Sequence, residues 1–312
     1  MTAAISVTPS GNPSIDGMLY GTRWAATNLT FSFPTAASDL SDYSTPLNSS
    51  DFTVLTSTER LAVEAALASW SSVSGLTFTE ASSVSSSDLR IYWYNSGDNI
   101  TARVLDFPGD RPEAGDIQFG AALGPTWDQG TYTALTVMHE IGHALGLKHP
   151  HMAANRFPAL GVTEDSIELS VMSYRSYLGG ALTGYSVTDG HFPLAPMLND
   201  IAAIQHLYGA NWATNAGDTI YTLDPGAPVV FRAVWDGGGV DTYNLANYST
   251  PLIIDLRPGA WSDFGMQHAV LDSSSSKRAI GNLVNPYLYQ GDLRSLIEDV
   301  WGGSGNDRIT GN

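Results

Sequence analysis

The run His139-Glu140-Ile141-Gly142-His143-Ala144-Leu145-Gly146-Leu147-Lys148-His149 constrains this chain more than any other feature. His139 and His143 are spaced to share one face of a helix, so both imidazoles can reach one ion. Glu140 follows the first of them, which puts a carboxylate beside the metal and within reach of a metal-bound water. Gly146 lets the chain leave the helix, because glycine adopts left-handed dihedrals at little cost. The turn brings His149 back as a third ligand. Three protein ligands with one position left open is the arrangement of a catalytic zinc. The competing reading is an amphipathic core helix whose histidines are satisfied by hydrogen bonds. The five positions in register favour the metal.

Composition narrows the partners. A formal net charge of −17 argues against nucleic acid, whose phosphates need a basic surface, and against anionic membrane. Acidic excess is compatible with bound calcium or with solubility alone. The chain has no cysteine, so disulfides and thiolate chemistry are excluded and a zinc ion must use nitrogen and oxygen ligands. Residues Met1 to Ile15 lack the basic region and apolar run of a Sec signal peptide, and no apolar stretch reaches membrane-spanning length. A length of 312 residues with 43% hydrophobic content suits two domains.

Along the chain, residues 1–20 are polar, with Pro9, Gly11 and Pro13, and read as an extended lead-in. Trp24 to Pro34 alternates as a strand, with Leu29, Phe31 and Phe33 on one side. Ser57 to Ser72 reads as a helix capped by Ser57 or Thr58, with Leu61, Val63, Ala65, Leu67 and Trp70 facing a sheet. Leu89 to Tyr94 and Asp116 to Phe119 read as strands. The histidine-bearing helix spans about Thr133 to Leu145, and another runs from about Pro196 to Leu207. Beyond Gly209 helical periodicity stops and short strands alternate with Gly, Asn, Asp and Pro, which places a domain boundary near residue 211. Two glycine-rich runs follow, Asp236-Gly237-Gly238-Gly239-Val240-Asp241-Thr242 and Gly302-Gly303-Ser304-Gly305-Asn306-Asp307. The second fits the G-G-x-G-x-D part of a calcium-binding nonapeptide repeat, whose glycines turn carbonyls toward a hard cation while aspartates supply charge. The simpler reading of either run is a glycine turn. Lys148 is expected to face solvent, and His191, His206 and His268 have no ligand spacing. His151 is expected to be solvated, or to line the cleft.

The extended histidine motif resembles that of the metzincin metalloproteases. Ser170-Val171-Met172-Ser173-Tyr174 resembles their Met-turn, in which a methionine forms a floor under the zinc, and Tyr174 matches the tyrosine that approaches the zinc in serralysins and astacins. Met172 alone reads as core packing and Tyr174 alone as a surface turn; their joint spacing lifts both. Pro150 and the stretch from Ala195-Pro196-Met197 to Gly209-Ala210-Asn211 are similar to the serralysin branch. So is the opening from Ser10-Gly11-Asn12 through Gly21-Thr22-Arg23-Trp24 to Phe31-Ser32-Phe33-Pro34.

The resemblance implies an α+β metzincin catalytic domain over residues 1–211, a mixed twisted sheet with an active-site helix. A mostly β, β-roll or β-sandwich-like calcium-binding domain follows over 212–312. Residues 1–20 then include a candidate pro-segment. The implied function is a secreted zinc-dependent endopeptidase that uses a zinc-activated water. One catalytic zinc is held by His139, His143 and His149. Glu140 is the general base, Tyr174 assists at the oxyanion, and Met172 is the Met-turn residue. One or more structural calcium ions are implied at Gly217, Thr219, Asp236, Gly238, Gly239, Asp241 and Glu298. The family pattern has an arginine carbonyl where this chain has Asn215, a change that matters little because the backbone is the ligand. Substrate is expected to add as a strand to a sheet edge, either Ala102 to Leu105 or Asp116 to Phe119. The segment from Asn95 to Tyr132 reads as shorter than in typical serralysins, which leaves the form of the cleft's upper rim undetermined. Implied partners are protein or peptide substrates and a proteinaceous protease inhibitor, with the chain a monomer. The implied location is extracellular, in a bacterium, by a signal-peptide-independent type I route whose export signal is absent from this chain. Asp307 is expected to be a half-site with no partner turn. A reading of a different class is a calcium-dependent binding or adhesion module with a vestigial protease domain. The intact Glu140 favours the enzyme, because a vestigial site loses its base most cheaply.

Overall fold

The protein is described here as a computed structural model covering residues 2–312, so Met1 of the N-terminal segment lies outside the described residues. Up to residue 211 the elements are β1 (Ala4–Ser6), α1 (Pro13–Asp16), β2 (Thr22–Trp24), β3 (Asn28–Ser32), β4 (Phe52–Thr53), α2 (Ser57–Val73), β5 (Thr77–Glu80), β6 (Leu89–Tyr94), β7 (Ala102–Val104), β8 (Ile117–Phe119), α3 (Tyr132–Ala144) and α4 (Leu198–Tyr208). The remainder, among the described residues, has no α-helix. It holds β9 (Ile220–Thr222), β10 (Arg232–Ala233), β11 (Thr242–Asn244), β12 (Ile253–Asp255), β13 (Trp261–Ser262), β14 (Val270–Asp272), β15 (Lys277–Arg278), β16 (Leu283–Val284), β17 (Asp299–Trp301) and β18 (Arg308–Thr310). An α+β region is thus followed by a mostly β one.

The main sheet is mixed, in the order β5-β3-β6-β8-β7, with β4 paired to the far half of β6. β3, β5, β6 and β8 run parallel, whereas β4 and β7 are antiparallel to their neighbours. The first four residues of β6, Leu89 to Tyr92, are buried without alternation, as a strand covered on both faces requires. β7 pairs only with β8 and forms the sheet edge, while β8 is interior. Of the two candidate edge strands, the one at Ala102 is therefore the edge.

α2 begins at a capping box. Thr56 accepts from the Glu59 amide at 3.3 Å and its own amide donates to Glu59 Oε2 at 2.7 Å. The cap is one residue earlier than expected. Val63, Ala66, Leu67, Trp70 and Val73 form the buried stripe. Leu61 and Ala65, expected inside, lie on the exposed side of the helix. They fall off the i, i+3, i+4 spacing set by Val63 and Trp70. The Trp70 indole donates to Met138 O at 3.0 Å, which fixes α2 against α3.

The second region winds in short parallel pairs, β9 with β11, β11 with β17, and β12 with β18. Residues 229–235 are a shared wall. Val229, Phe231, Ala233 and Trp235 pack into the main core, and Val230 and Val234 pack into a second core with Leu245, Leu252, Ile254 and Phe264. This alternation gives both faces of one segment a buried role, so the main core continues past residue 211.

Candidate metal centre

α3 is anchored at both ends. Thr131 caps its start, accepting from the Ala134 amide at 3.2 Å. At its end the Ala144 carbonyl accepts from the Trp24 indole at 2.9 Å and the Leu145 carbonyl from the Tyr208 hydroxyl at 2.8 Å. These bonds satisfy carbonyls that a helix leaves unpaired at its C-terminus. Gly146 has φ +103, and a Cβ there would stand 2.4 Å from Thr22 O. The glycine is needed for the turn and also for the close passage of β2. Gly142 has a second packing role, since a Cβ there would meet Met172 Sδ at 2.5 Å. The thioether of the fully buried Met172 lies against the helix where the histidines leave it.

His139 Nδ1 donates to Val171 O at 2.8 Å and His143 Nδ1 to Leu147 O at 2.7 Å. Those bonds put the protons on Nδ1 and leave Nε2 bare on both rings. His149 Nε2 lies 3.0 Å from the first and 2.9 Å from the second. One proton on His149 could serve one contact; the other would set lone pair against lone pair. A cation among the three nitrogens removes the conflict, and the three rings together are a group able to hold a metal ion. Burial pushes His139 down to about 4 and, with His139 adding to it, His143 down to about 3. Burial also holds His149 far below the ordinary imidazole range. The neutral form they keep is the form that binds metal.

Glu140 is buried beside this group. Burial pushes its carboxyl up to about 8, and the Val104 amide on the edge strand works the other way. Tyr174 is 38% exposed, with its ring 5.6 Å from His139 at an interplanar angle of 20° and 4.3 Å from His149. Burial, with nearby Glu140 adding to it, pushes its phenol up to about 12, so the hydroxyl remains a donor. Ala102, Glu140 and Tyr174 line two cavities at once. One, of about 670 Å³, has walls of Tyr132, Leu135, Tyr185 and Phe192. The other, of about 300 Å³, reaches Phe107, His143, His149 and Met152. The group sits at the neck between them, beside the edge strand. Thr101, Gly124, Pro125 and Thr126, all within the 95–132 segment, line the larger cavity.

One residue near the centre, Asp200, has no signal in the sequence reading. Asp200 is fully buried and accepts from the Ser170 hydroxyl at 2.7 Å, the Val171 amide at 2.7 Å and the Met197 amide at 2.8 Å. Burial pushes it up to about 7 while those donors pull it back. It holds Val171, the residue whose carbonyl orients His139. Lys148 corrects an expectation. It is 2% exposed rather than solvent-facing, because its stem crosses the core to reach Gly17 O and Pro158 O. Burial lowers its ammonium to about 8. His151 is half-buried with its ring 5.4 Å from His149 and nearly parallel. His191, His206 and His268 bond to the Val270 amide, Thr8 O and Asp263.

The second acidic group also converges. Asp236 and Asp241 are both fully buried, and no basic side chain pairs with either among the described residues. Asp241 Oδ1 accepts from the Thr219 amide at 2.8 Å, and the Asp241 amide donates to Glu298 Oε2 at 2.8 Å. Thr219 Oγ1 donates to Gly217 O at 2.8 Å, Gly238 N to Asp236 Oδ1 at 2.7 Å, and a Cβ on Gly239 would stand 2.6 Å from Gly217 C. Asp241 Oδ2 is buried with no hydrogen-bond partner. Burial, then the neighbouring Asp236 charge, push Asp241 up to about 6. The Asp307 turn departs from expectation because it does have a partner, residues 245–252. Ser304 N donates to Tyr248 O at 2.9 Å, and Asp307 accepts from Leu252 N at 3.0 Å and Gly303 N at 2.9 Å. Its carboxylate is occupied by amides.

The Peptidase M10 matrixin family model matches residues 23–170, and the model described as Peptidase M10 serralysin C terminal matches 199–284. The chain is similar to Serralysin G of Dickeya chrysanthemi, 31% identical over 310 residues that make up 91% of this chain and 59% of that protein. It is 32% identical to Serralysin C of the same organism over 303 residues, 90% of this chain and 58% of the relative. It is also 32% identical to Metalloprotease AprA of Pseudomonas entomophila (strain L48) over 268 residues, 79% of this chain and 52% of that one. The chain thus spans between half and three-fifths of these relatives. Matrixin-type and serralysin-type matches fall in series on one chain, over the two regions that hold the histidine group and the Asp236–Asp241 pair, and the chain belongs to the serralysin-type metzincin family.

Proposed function

We propose that this chain is a zinc-dependent endopeptidase. The observation that carries the reading is the meeting of three imidazole nitrogens, those of His139 and His143 bare, with a buried carboxylate at an open sheet edge. His139, His143 and His149 would hold the zinc, which supplies Lewis acidity toward a peptide carbonyl and a water. An extended peptide pairs with β7, whose backbone gives affinity without demanding particular side chains. Glu140 takes the proton of the attacking water as its oxygen bonds the scissile carbon. The same carboxyl then delivers that proton to the amine nitrogen as the C–N bond breaks. The Tyr174 hydroxyl donates to the oxygen on which charge develops. No acyl-enzyme forms.

Gly217, Thr219, Asp236, Gly238, Gly239, Asp241 and Glu298 would hold a structural calcium, a reading supported by the orphaned Asp241 oxygen. In this account residues up to about 211 carry the chemistry and 212–312 support them. Residues 2–20 act as scaffold, with Tyr20 lining a cavity at the centre. Extracellular protein substrates suit a family whose named members include serralysins and a metalloprotease, and no helix among the described residues is long and apolar enough to cross a membrane. The test is Glu140→Ala, read by zinc content and peptide hydrolysis together.

A further inference from the structure

We propose that Lys148 is a positioning residue for the third metal ligand, clamping the turn that carries His149 and so setting how tightly the centre holds its metal. This rests on the zinc reading above.

The three histidines are not held alike. His139 and His143 each have Nδ1 locked on a backbone carbonyl, at 2.8 Å and 2.7 Å. His149 Nδ1 has only the Met152 thioether at 3.4 Å, a weak acceptor. Metal-bound histidines ordinarily have the second nitrogen fixed by a carbonyl or carboxylate. His149 also lies beyond the end of α3, so helical geometry does not fix it. Its place is set by its main chain.

That main chain is tied on both sides. Before it, Lys148 N donates to Met18 O at 2.7 Å, Tyr20 N donates to Gly146 O at 3.0 Å, and Leu19 bridges Leu147. After it, Leu160 N donates to Pro150 O at 2.7 Å. The Lys148 ammonium joins the two ties, donating to Gly17 O on one side and Pro158 O on the other. It forms no ion pair among the described residues, so two carbonyls are its main support. A Cβ on Gly17 would stand 2.1 Å from Leu160 Cδ2, so these segments are packed without slack. Burying an ammonium is costly unless it is well bonded, and an apolar side chain would fill this space at less cost. What the ammonium adds is a directional hold on two segments at once.

The experiment is zinc competition against a chromophoric chelator for wild type and Lys148→Met, at a temperature where the metal-free proteins give the same circular dichroism. Loss of an outer partner of a metal ligand typically weakens metal binding about 10–100-fold, and the variant is expected to bind zinc at least about tenfold more weakly. Should Lys148→Met not fold, Lys148→Gln carries the same expectation, because its amide keeps donors but is too short to hold both carbonyls. Zinc affinity within about threefold of wild type in a folded variant overturns the proposal, even where thermal stability has dropped. The zinc reading fails separately, if His149→Ala leaves the zinc affinity of the otherwise wild-type chain unchanged.

Discussion

Tyr174 is the one proposed catalytic side chain that carries a hydroxyl, and it is partly exposed on the wall of both cavities. Its ring rests among His139, His149 and His151, and its phenol is held protonated. A donor aimed at developing charge acts on the transition state more than on bound substrate. Tyr174→Phe keeps the ring packing and removes the donor. Turnover should fall about 10²-fold with little change in KM, as for loss of one oxyanion donor. Steady-state kinetics on a short peptide checks this, and unchanged turnover would leave Tyr174 as packing alone. At this scale the sequence was most legible. The spacing of His139, His143 and His149 encodes convergence on one point, and Gly146 encodes the turn. Lys148 was misread because its neighbours in the motif say nothing of Gly17 and Pro158, which reach it from elsewhere in the chain.

At the scale of elements, what matters is how α3 and the Met172 turn are held together. Asp200 at the start of α4 grips the turn through three donors, and the turn's Val171 carbonyl orients His139. Asp200→Ala strands a buried hydroxyl and two amides, each worth about 1–3 kcal/mol when left unpaired, so a loss on the order of 3 kcal/mol or more is expected. Urea unfolding of the metal-free protein measures it; a midpoint close to wild type would show that the turn holds itself. The elements were foreseen within a residue or two for α2, α3, α4, β6 and β8, because their apolar spacing is local. The supports were not. Trp24 and Tyr208 cap α3 from far along the chain, and no local pattern marks an indole or a phenol for that task.

Across the whole molecule, a chain of net charge −17 buries two neighbouring carboxylates, Asp236 and Asp241, in its second region. Repulsion between them opposes folding unless a cation or proton intervenes. Asp241 is raised to about 6 in the fold, above its ordinary value, so the cation-free protein binds protons more tightly than the unfolded chain does. Its stability should therefore fall as pH rises through about 6. Calcium should raise the melting temperature most above that pH and progressively less below it. Asp241→Ala should remove most of the calcium increment. Asp307→Ala should leave the increment intact, although it frees the amides of Leu252 and Gly303 and lowers the baseline. Calorimetry with and without calcium separates these, and the reverse pattern would move the site to the glycine turn at 302–307. The continuity of the cores was not legible, because residues 229–235 alternate between two apolar faces that look alike in sequence.

In the proposed mechanism Glu140 performs proton transfer at a zinc held by three histidines and is not itself a ligand. Measuring zinc content and peptide hydrolysis on one preparation of Glu140→Ala tests it most directly. One zinc per chain is expected, the same as in wild type, with turnover lower by at least the ~10²–10⁴-fold that a general acid–base residue supplies. Near-wild-type turnover, or loss of the zinc along with the carboxylate, would contradict it.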